Sequence, residues 1–302
     1  CLSSVNVEKF DEWQDHPTFI EDIMRMLDNV LDDFIKKAPD DFRNAKYAAM
    51  RERSVGLGVM GLHSFYQSKM IPMESVMAKV WNRRIFQHIK RQADDASIKL
   101  AHEKGPCPDA ADYGVMERFS NKMAIAPTAS ISIICGGASP GIEPIAANGY
   151  THKTLSGSFA VKNKYLQKLL EEKGLSEEEI EDVWSSVFTN EGSVQHLEIL
   201  TDEEKDVFKT AFEIDQRWLI EHAGDRADFI CQAQSLNVFL PADVHKKDLH
   251  EIHYMAWKKG VKSLYYCRSK SIQRAESDAS WKRTSAETPQ EPPKYEECLS
   301  CQ

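Results

Sequence analysis

Residues 234–267 read QSLNVFLPADVHKKDLHEIHYMAWKKGVKSLYYC and contain a strand, a helix and a second strand in succession. Gln234–Leu240 carries β-type residues, Ala242–Lys259 has helical periodicity and ends at Gly260, and Val261–Cys267 is again apolar. Strands that are apolar on both faces and joined by a helix are typical of a parallel sheet. This stretch therefore predicts a parallel α/β fold.

Helices are predicted over much of the chain that precedes this stretch. Ser176 with Glu179, and Thr201 with Glu204, match the reciprocal capping pattern that opens a helix. Apolar residues recur at helical spacing over residues 15–37, 41–52, 75–104, 163–173, 176–189 and 202–223. We therefore expect a helix-rich domain.

Shorter segments are predicted between these helices. Met123–Pro127 and Ile131–Ile134 are predicted as short strands around a turn, and residues 146–161 are expected to form loops. Three glycines in Ser54–Leu62 have the spacing of a phosphate-binding loop, but no strand precedes them and no acidic residue follows at the required distance. We therefore expect these glycines to allow close backbone packing.

Composition excludes several classes of protein. The 302 residues fit one large domain or two ordinary ones, and the net charge of −9 without a dense Lys/Arg cluster argues against nucleic-acid binding. Neither an apolar run of membrane-spanning length nor a secretory signal is visible. Seven scattered cysteines favour a reducing compartment, so we expect a cytoplasmic protein.

The C-terminal residues differ from the rest in composition. Residues 276–297 are rich in Ser, Glu, Lys and Pro, and Cys298 and Cys301 follow them. Half of a zinc site would need a second Cys or His pair, which does not accompany them, so a dithiol that shuttles reducing equivalents is favoured. We expect a folded domain over residues 1–273 and a flexible tail over 274–302.

Two further groups of residues suggest chemistry. Tyr265 and Tyr266 are adjacent, and two such phenols can pass an electron onward if their protons have an acceptor, although filling a core is the ordinary role of strand aromatics. The turn at Pro127–Ile131 presents hydroxyls and backbone amides, which suit the oxygens of a diphosphate. An ordinary turn is the alternative interpretation.

Taken together, these segments resemble the large, catalytic subunit of class I ribonucleotide reductase. The resemblance covers essentially the whole chain. Its motifs, in chain order, are LSSVNV at 2–7, the glycine-containing segment 54–62, IAPTASIS at 125–132, GIEP at 141–144, LYY at 264–266 and CLSC at 298–301.

The resemblance implies a fold and an activity. Residues 1–273 would form the C-terminal half of a ten-stranded α/β barrel built from two half-barrels, and residues 274–302 a disordered tail. The implied activity is that of an oxidoreductase of deoxyribonucleotide biosynthesis, which serves DNA replication by reducing ribonucleoside diphosphates through thiyl-radical chemistry with a dithiol reductant.

The resemblance also assigns roles to single residues. The substrate's diphosphate would be held by Pro127, Thr128, Ala129, Ser130 and Ile131. Tyr265 and Tyr266 would deliver a radical, and Cys298 and Cys301 would form the mobile redox dithiol. Cys1 would be one of the redox thiols of the active site, although it lies one residue closer to Leu2 than the family pattern has it. The alternative is that Cys1 is the neighbour of the redox Cys, which would then precede this chain.

The family's cofactors and partners complete the expectation. No metal or cofactor would be bound directly by this chain, because the radical comes from a metallo-cofactor in a small subunit and thioredoxin or glutaredoxin restores the dithiol. The radical-bearing Cys of the family lies ahead of the segment that opens this chain, so we expect activity only with an N-terminal half. Protein splicing, a split gene and truncation remain alternative reasons for a chain that opens at Cys1.

Two alternatives to this function stay open. A cobalamin-dependent ribonucleotide reductase needs no small subunit, and the paired tyrosines argue against it. A non-catalytic redox-relay module would use the tail dithiol alone.

Overall fold

The computed structural model describes residues 1–154 and 157–269, and helices make up most of this part. The helices are α1 (Phe10–Trp13), α2 (Phe19–Lys37), α3 (Arg43–Glu52), α4 (Leu62–Ser68), α5 (Val76–Lys104), α6 (Pro108–Asp112), α7 (Ile131–Ile134), α8 (Lys164–Glu172), α9 (Glu177–Thr189), α10 (Asp202–Val207), α11 (Gln216–Ala227) and α12 (Lys246–Lys258). The strands are β1 (Leu2–Asn6), β2 (Gly56–Met60), β3 (Gly149–Thr154), β4 (Gly157–Lys162), β5 (Val238–Leu240) and β6 (Cys267–Ser269). Both predicted capping boxes are present, at the starts of α9 and α10.

Within the described residues, five chain segments lie side by side and run parallel. β1 pairs with β2, and β5 pairs with β6, both in parallel register. Between these pairs, Leu57 bridges Met123 and Ile125 bridges Gln234, again in parallel. The order is therefore β1, β2, residues 123–125, residues 234–240 and residues 265–269, which follows the chain as helical crossovers require. The parallel α/β arrangement predicted from the sequence is confirmed.

The glycines of β2 allow the neighbouring strands to approach closely. A methyl group on Gly58 would lie 2.3 Å from the carbonyl oxygen of Ala124, and one on Gly56 would lie 2.4 Å from Cδ2 of Leu2. Every residue of β2 is buried, so its neighbours cannot move aside towards solvent. This geometry fits the close backbone packing predicted for these glycines.

Two apolar clusters stabilise the fold. The larger lies between the sheet and its flanking helices, and includes Leu57 of β2, Ile85 of α5 and Ile220 of α11. The smaller is formed around α8, α9 and α10, and includes Trp184 and Phe208. Each such side chain contributes about 1.5–3 kcal/mol when it is fully removed from water, so the larger cluster fixes the sheet whose ends carry the site.

A buried ion cluster ties α2 to its neighbours. The carboxylate of Asp28 is fully buried and accepts hydrogen bonds from Arg53 at 2.6 and 2.9 Å, from Arg118 at 2.9 and 3.2 Å, and from Lys104 at 2.9 Å. Burial alone would raise the pKa of Asp28, but the bonds from Arg118, Lys104 and Arg53 outweigh it and lower that pKa. The cluster therefore depends on Asp28 staying charged.

Two predicted segments beside the site differ from the structure. Ile131–Ile134 was expected as a strand and is the short helix α7, closed by a hydrogen bond from Cys135 N–H to the Ile131 carbonyl. An apolar run of four residues fits both the period of a strand and the period of a helix, so its pattern could not distinguish these two structures. Residues 146–161 were expected as loops, but they contain most of the antiparallel hairpin β3–β4.

The predicted helix 202–223 is divided into α10 and α11. The Glu213 carboxylate accepts hydrogen bonds from the backbone N–H and the hydroxyl of Thr210, and the side chain of Asp215 caps α11. These side-chain bonds take the place of helical backbone bonds between the two helices.

Some predictions fall outside the described residues. These are the boundary after residue 273, the tail 274–302, and its Cys298 and Cys301. Within the described ranges, no helix is both long enough and apolar enough to cross a membrane.

Candidate functional site

The candidate residues lie on neighbouring segments of the sheet. The 127–131 loop directly follows the sheet segment 123–125, whose Ile125 bridges Gln234. Tyr265 and Tyr266 directly precede β6, and the register of β5 with β6 puts Tyr266 level with Asn237. The predicted diphosphate loop and the predicted tyrosine pair therefore lie on the segments to either side of residues 234–240.

Thr128 fixes the shape of the 127–131 loop. Its φ of 54° lies in the left-handed region, which a β-branched residue rarely adopts. The side chain is buried, and its Oγ1 accepts a hydrogen bond of 2.7 Å from the backbone N–H of Gly141. A methyl group on Gly141 would lie 3.2 Å from the Ala126 carbonyl oxygen, so the two segments are in close contact. The loop is thereby held against residues 141–144.

The backbone amides of this loop point to anion binding. Among the hydrogen bonds of the described residues, none is donated by the backbone N–H of Ala129, Ser130 or Ile131. Ser130 is exposed and its side chain does not cap α7. Successive N–H groups without protein acceptors are what a phosphate group binds in such turns. The geometry is compatible with the predicted role of Pro127–Ile131, which stays a prediction.

The rings of Tyr265 and Tyr266 are in contact. Their centroids lie 4.2 Å apart with an interplanar angle of 53°. The side chains are 49% and 43% exposed, so neither ring is a core residue of the described chain. The strand predicted over 261–267 is regular only from Cys267 onward, which frees the two tyrosines from the alternation of a strand.

Asn237 and Glu143 connect the loop to the tyrosine pair. The Glu143 carboxylate accepts hydrogen bonds from the backbone N–H of Asn237 at 2.7 Å and from its side-chain amide at 3.0 Å. The side-chain oxygen of Asn237 in turn accepts the backbone N–H of Tyr266 at 3.0 Å. Since Glu143 lies two residues after Gly141, which donates to Thr128, the contacts run from the loop to Tyr266.

Burial and the surrounding groups have opposite effects on the pKa of Glu143. Burial raises the pKa of Glu143, while its bonds with Asn237 and the positive charges of Arg268 and Arg226 act to lower it. The guanidinium carbon of Arg268 lies 5.4 Å from the centroid of the Tyr266 ring. Burial lowers the pKa of Arg226 to about 10, so that side chain is still a cation at neutral pH.

Cys1 lies just before β1. β1 and β2 pair so that Cys1 is level with Val55, whose N–H donates to the Asn121 carbonyl at 3.0 Å. Cys1 is an exposed, free cysteine. Its redox role stays a prediction.

A cavity of about 500 Å³ lies beside the loop. Its lining includes Ser132 and Ile133 on one side and Asn148 and Asn163 on the other. The amide of Asn163 donates to Asn148 at 2.9 Å and to Gln67 at 3.0 Å, so these polar groups satisfy one another. In the described ranges, no group of three or more His, Cys, Asp or Glu side chains is arranged to hold a metal ion.

Sequence reasoning missed the roles of Glu143 and Asn237. Glu143 stood in the GIEP motif and Asn237 in the predicted strand, but neither was singled out. An acidic residue between two prolines, Pro140 and Pro144, could have signalled a fixed carboxylate. Its partner, 94 residues away in the chain, could not be read from the sequence.

Comparisons with known proteins identify the family. A family model described as the barrel domain of ribonucleotide reductase matches residues 1–115 and 109–267. The ribonucleoside-diphosphate reductase large subunit of Invertebrate iridescent virus 6 is 49% identical over 282 residues, which are 93% of this chain and 29% of that protein. The putative large subunit of Frog virus 3 is 40% identical over 305 residues, covering 100% of this chain and 52% of that protein.

A solved structure shows the same likeness. The alpha subunit of the class Id ribonucleotide reductase of Actinobacillus ureae superposes with a TM-score of 0.81 at 40% identity, covering 90% of this chain and 49% of that one. The chain thus spans between about a third and about half the length of these relatives. The predicted family and helix-rich barrel fold are confirmed, and the five parallel segments supply half of the ten expected strands. This chain belongs to the ribonucleotide reductase barrel-domain family.

Proposed function

We propose that this chain is the C-terminal part of a ribonucleoside-diphosphate reductase large subunit and carries the substrate's diphosphate site and the last steps of a radical path. The observation that best supports this is the contact between the Tyr265 and Tyr266 rings, together with the hydrogen bonds that join Tyr266 to the 127–131 loop through Asn237, Glu143 and Gly141. Neither feature is needed for a packed core, because both tyrosines are half-exposed.

The proposed reaction replaces the ribose 2′-hydroxyl by hydrogen. The hydroxyl leaves as water, and two thiols become a disulfide: one of their hydrogens is placed on carbon 2′ and the other leaves with the water. The thiols therefore lose two electrons and two protons, and the ribose carbon is reduced by the same two electrons. The tail dithiol, Cys298 and Cys301, then restores the active-site thiol pair by disulfide exchange.

The 127–131 loop would hold the substrate in place. Its backbone amides at Ala129, Ser130 and Ile131 would donate to diphosphate oxygens, while Thr128 keeps the loop closed against Gly141. An anchored diphosphate fixes the ribose against the reacting thiols, and such positioning is worth a large part of a rate enhancement.

The tyrosine pair would connect the site to a partner. A radical reaches the site as one electron and one proton pass at a time between neighbouring phenols, and rings in contact shorten that step. A small subunit with a metallo-cofactor supplies the radical when it is bound. The thiol that finally carries the radical would belong to an N-terminal half, and thioredoxin or glutaredoxin would reduce the tail.

Reconstitution tests this proposal. This chain is mixed with an N-terminal half, a small subunit, thioredoxin and CDP, and dCDP is measured with each component omitted in turn. We expect sustained dCDP formation only from the complete mixture. No dCDP from that mixture would favour a redox-relay module, and dCDP formed with adenosylcobalamin in place of the small subunit would favour the cobalamin-dependent class.

A further inference from the structure

The backbone of Tyr266 is held by a side chain where a regular strand would use a carbonyl. Tyr265 N–H donates to the Leu236 carbonyl at 2.8 Å, and the Tyr266 carbonyl accepts from Val238 N–H at 2.9 Å. Between these two backbone bonds, Tyr266 N–H donates to the side-chain oxygen of Asn237 at 3.0 Å. The rotamer of Asn237 therefore decides how Tyr266 enters β6.

Glu143 fixes that rotamer. Its two carboxylate oxygens accept from two different donors of Asn237, the backbone N–H at 2.7 Å and the side-chain amide at 3.0 Å. With the amide nitrogen turned to Glu143, the amide oxygen faces Tyr266. Asn237 is only 5% exposed, so water cannot readily replace either bond.

Glu143 is itself fixed by the loop side of the site. Its backbone N–H donates to the Pro140 carbonyl at 3.2 Å, and Gly141 beside it donates to Thr128. The two carboxylate oxygens of Glu143 each accept a hydrogen bond from Asn237, one from the backbone and one from the side chain. A carboxyl group held by two donors in this way keeps one orientation.

We propose that Glu143 is a positioning residue which, through Asn237, sets the ring of Tyr266 against Tyr265 and ties that geometry to the 127–131 loop. The expected effect on catalysis rests on the proposed function, because a misplaced Tyr266 would slow radical transfer. The expected effect on the position of Tyr266 does not, and it can be measured without turnover.

Glu143→Gln removes one of the two hydrogen bonds to Asn237, because the NH2 group of the new glutamine would face an N–H donor of Asn237. Asn237→Asp places a second carboxylate opposite Glu143. The double variant Glu143→Gln/Asn237→Asp reverses the pair: the new amide donates to the new carboxylate, and both the backbone N–H of residue 237 and that of Tyr266 keep an acceptor. The exposed Glu178→Gln is the matched control.

The first measurement is the 19F chemical shift of 3-fluorotyrosine placed at position 266 of the full chain. We expect both single variants to move this resonance away from that of the parent chain, and the double variant to return it. The second measurement, in the reconstituted enzyme, is dCDP formation. We expect kcat to fall at least about tenfold for each single variant, with KM for CDP changed less than about twofold, and kcat to recover in the double variant.

The outcomes separate the two proposals. A Glu143→Gln variant with the parent resonance overturns the positioning role, and so does a double variant that recovers neither the resonance nor the parent kcat. If Glu143→Gln does not fold, the double variant decides by the same criterion. Should the parent chain form no dCDP in the complete mixture, the proposed function fails, while the 19F resonances still test Glu143.

Discussion

Tyr265 and Tyr266 have their ring centroids 4.2 Å apart, although consecutive residues of a regular strand face opposite sides of the sheet. The contact is possible because β6 begins only at Cys267 and the side chain of Asn237 replaces one rung of the backbone ladder. The two phenols thus lie together just before β6. This placement is the main structural support for a radical path.

Thr128 should matter for substrate affinity through its hydroxyl. Thr128→Val removes the acceptor of Gly141 N–H and leaves that donor buried, so the loop opens and CDP binding weakens by about tenfold. Thr128→Ser keeps the hydroxyl and should bind CDP as the parent does. Equilibrium dialysis with CDP, in the presence of the N-terminal half, measures the CDP affinity of both variants. Parent-like binding by Thr128→Val would contradict the role of the hydrogen bond between Thr128 and Gly141.

Asp28 should contribute strongly to stability. Asp28→Asn removes the fully buried carboxylate that both Arg53 and Arg118 contact, and leaves them the more exposed Asp32. Breaking a buried ion pair costs about 3–5 kcal/mol in the free energy of unfolding. The control Asp33→Asn changes an exposed pair with Lys37 and should cost less than about 1 kcal/mol. Urea unfolding of both variants checks the difference.

The same residue predicts a pH dependence. The pKa of Asp28 is lowered in the folded chain, so its contribution is complete above the unfolded value of about 3.9 and is lost as pH falls through the lower folded value. The free energy of unfolding of the parent chain should therefore decrease below about pH 4. Asp28→Asn should lack this part of the decrease, and an identical pH profile for both chains would contradict the assignment.

Gly58 should tolerate no side chain. In Gly58→Ala the new methyl would meet the Ala124 carbonyl oxygen at 2.3 Å, and such overpacking costs about 1–3 kcal/mol. In the control Gly224→Ala, the nearest atom is Cβ of Lys259 at 3.0 Å, so a shift of a few tenths of an ångström would admit the methyl group. The gain in helix propensity offsets part of that cost, so this variant should be less destabilised than Gly58→Ala. Thermal unfolding compares the two, and equal stability would contradict close packing of β2.

The tail dithiol should be needed only for protein reductants. With Cys298→Ser or Cys301→Ser, no disulfide can form in the tail, so thioredoxin cannot pass reducing equivalents inward. We expect thioredoxin-driven dCDP formation to stop after the first turnover. Dithiothreitol is small enough to reduce the active-site thiol pair directly, and it should restore turnover. Full activity of either variant with thioredoxin would exclude the tail from the cycle.

The sequence predicted those parts of the fold that depend on local patterns. The order of strand, helix and strand over 234–267 indicated a parallel sheet, and the capping residues at Ser176 and Thr201 marked two helix starts that the structure has. Ile131–Ile134 was predicted wrongly as a strand, because a run of four apolar residues is too short to distinguish a strand from a helix. The split of helix 202–223 depends on side-chain bonds of Glu213 that no apolar pattern reveals.

The candidate site was only partly predictable for a related reason. The loop 127–131 and the tyrosine pair could be singled out by composition and by resemblance, since each is a short local motif. Their proximity, and the pair of Glu143 and Asn237 that joins them, arises from contacts between residues far apart in the chain. Such contacts follow from the register of the sheet, which the sequence pattern alone does not determine.

Tyr266→Phe provides the most direct test of the account. The variant keeps the ring and the backbone bond to Asn237 but cannot be oxidised at a phenol, so the path would be interrupted without a change in fold. In the reconstituted enzyme with CDP, the parent chain should form dCDP and the Tyr266→Phe chain none, at unchanged CDP affinity and thermal stability. Formation of dCDP by Tyr266→Phe at the parent rate would contradict a radical path through these tyrosines.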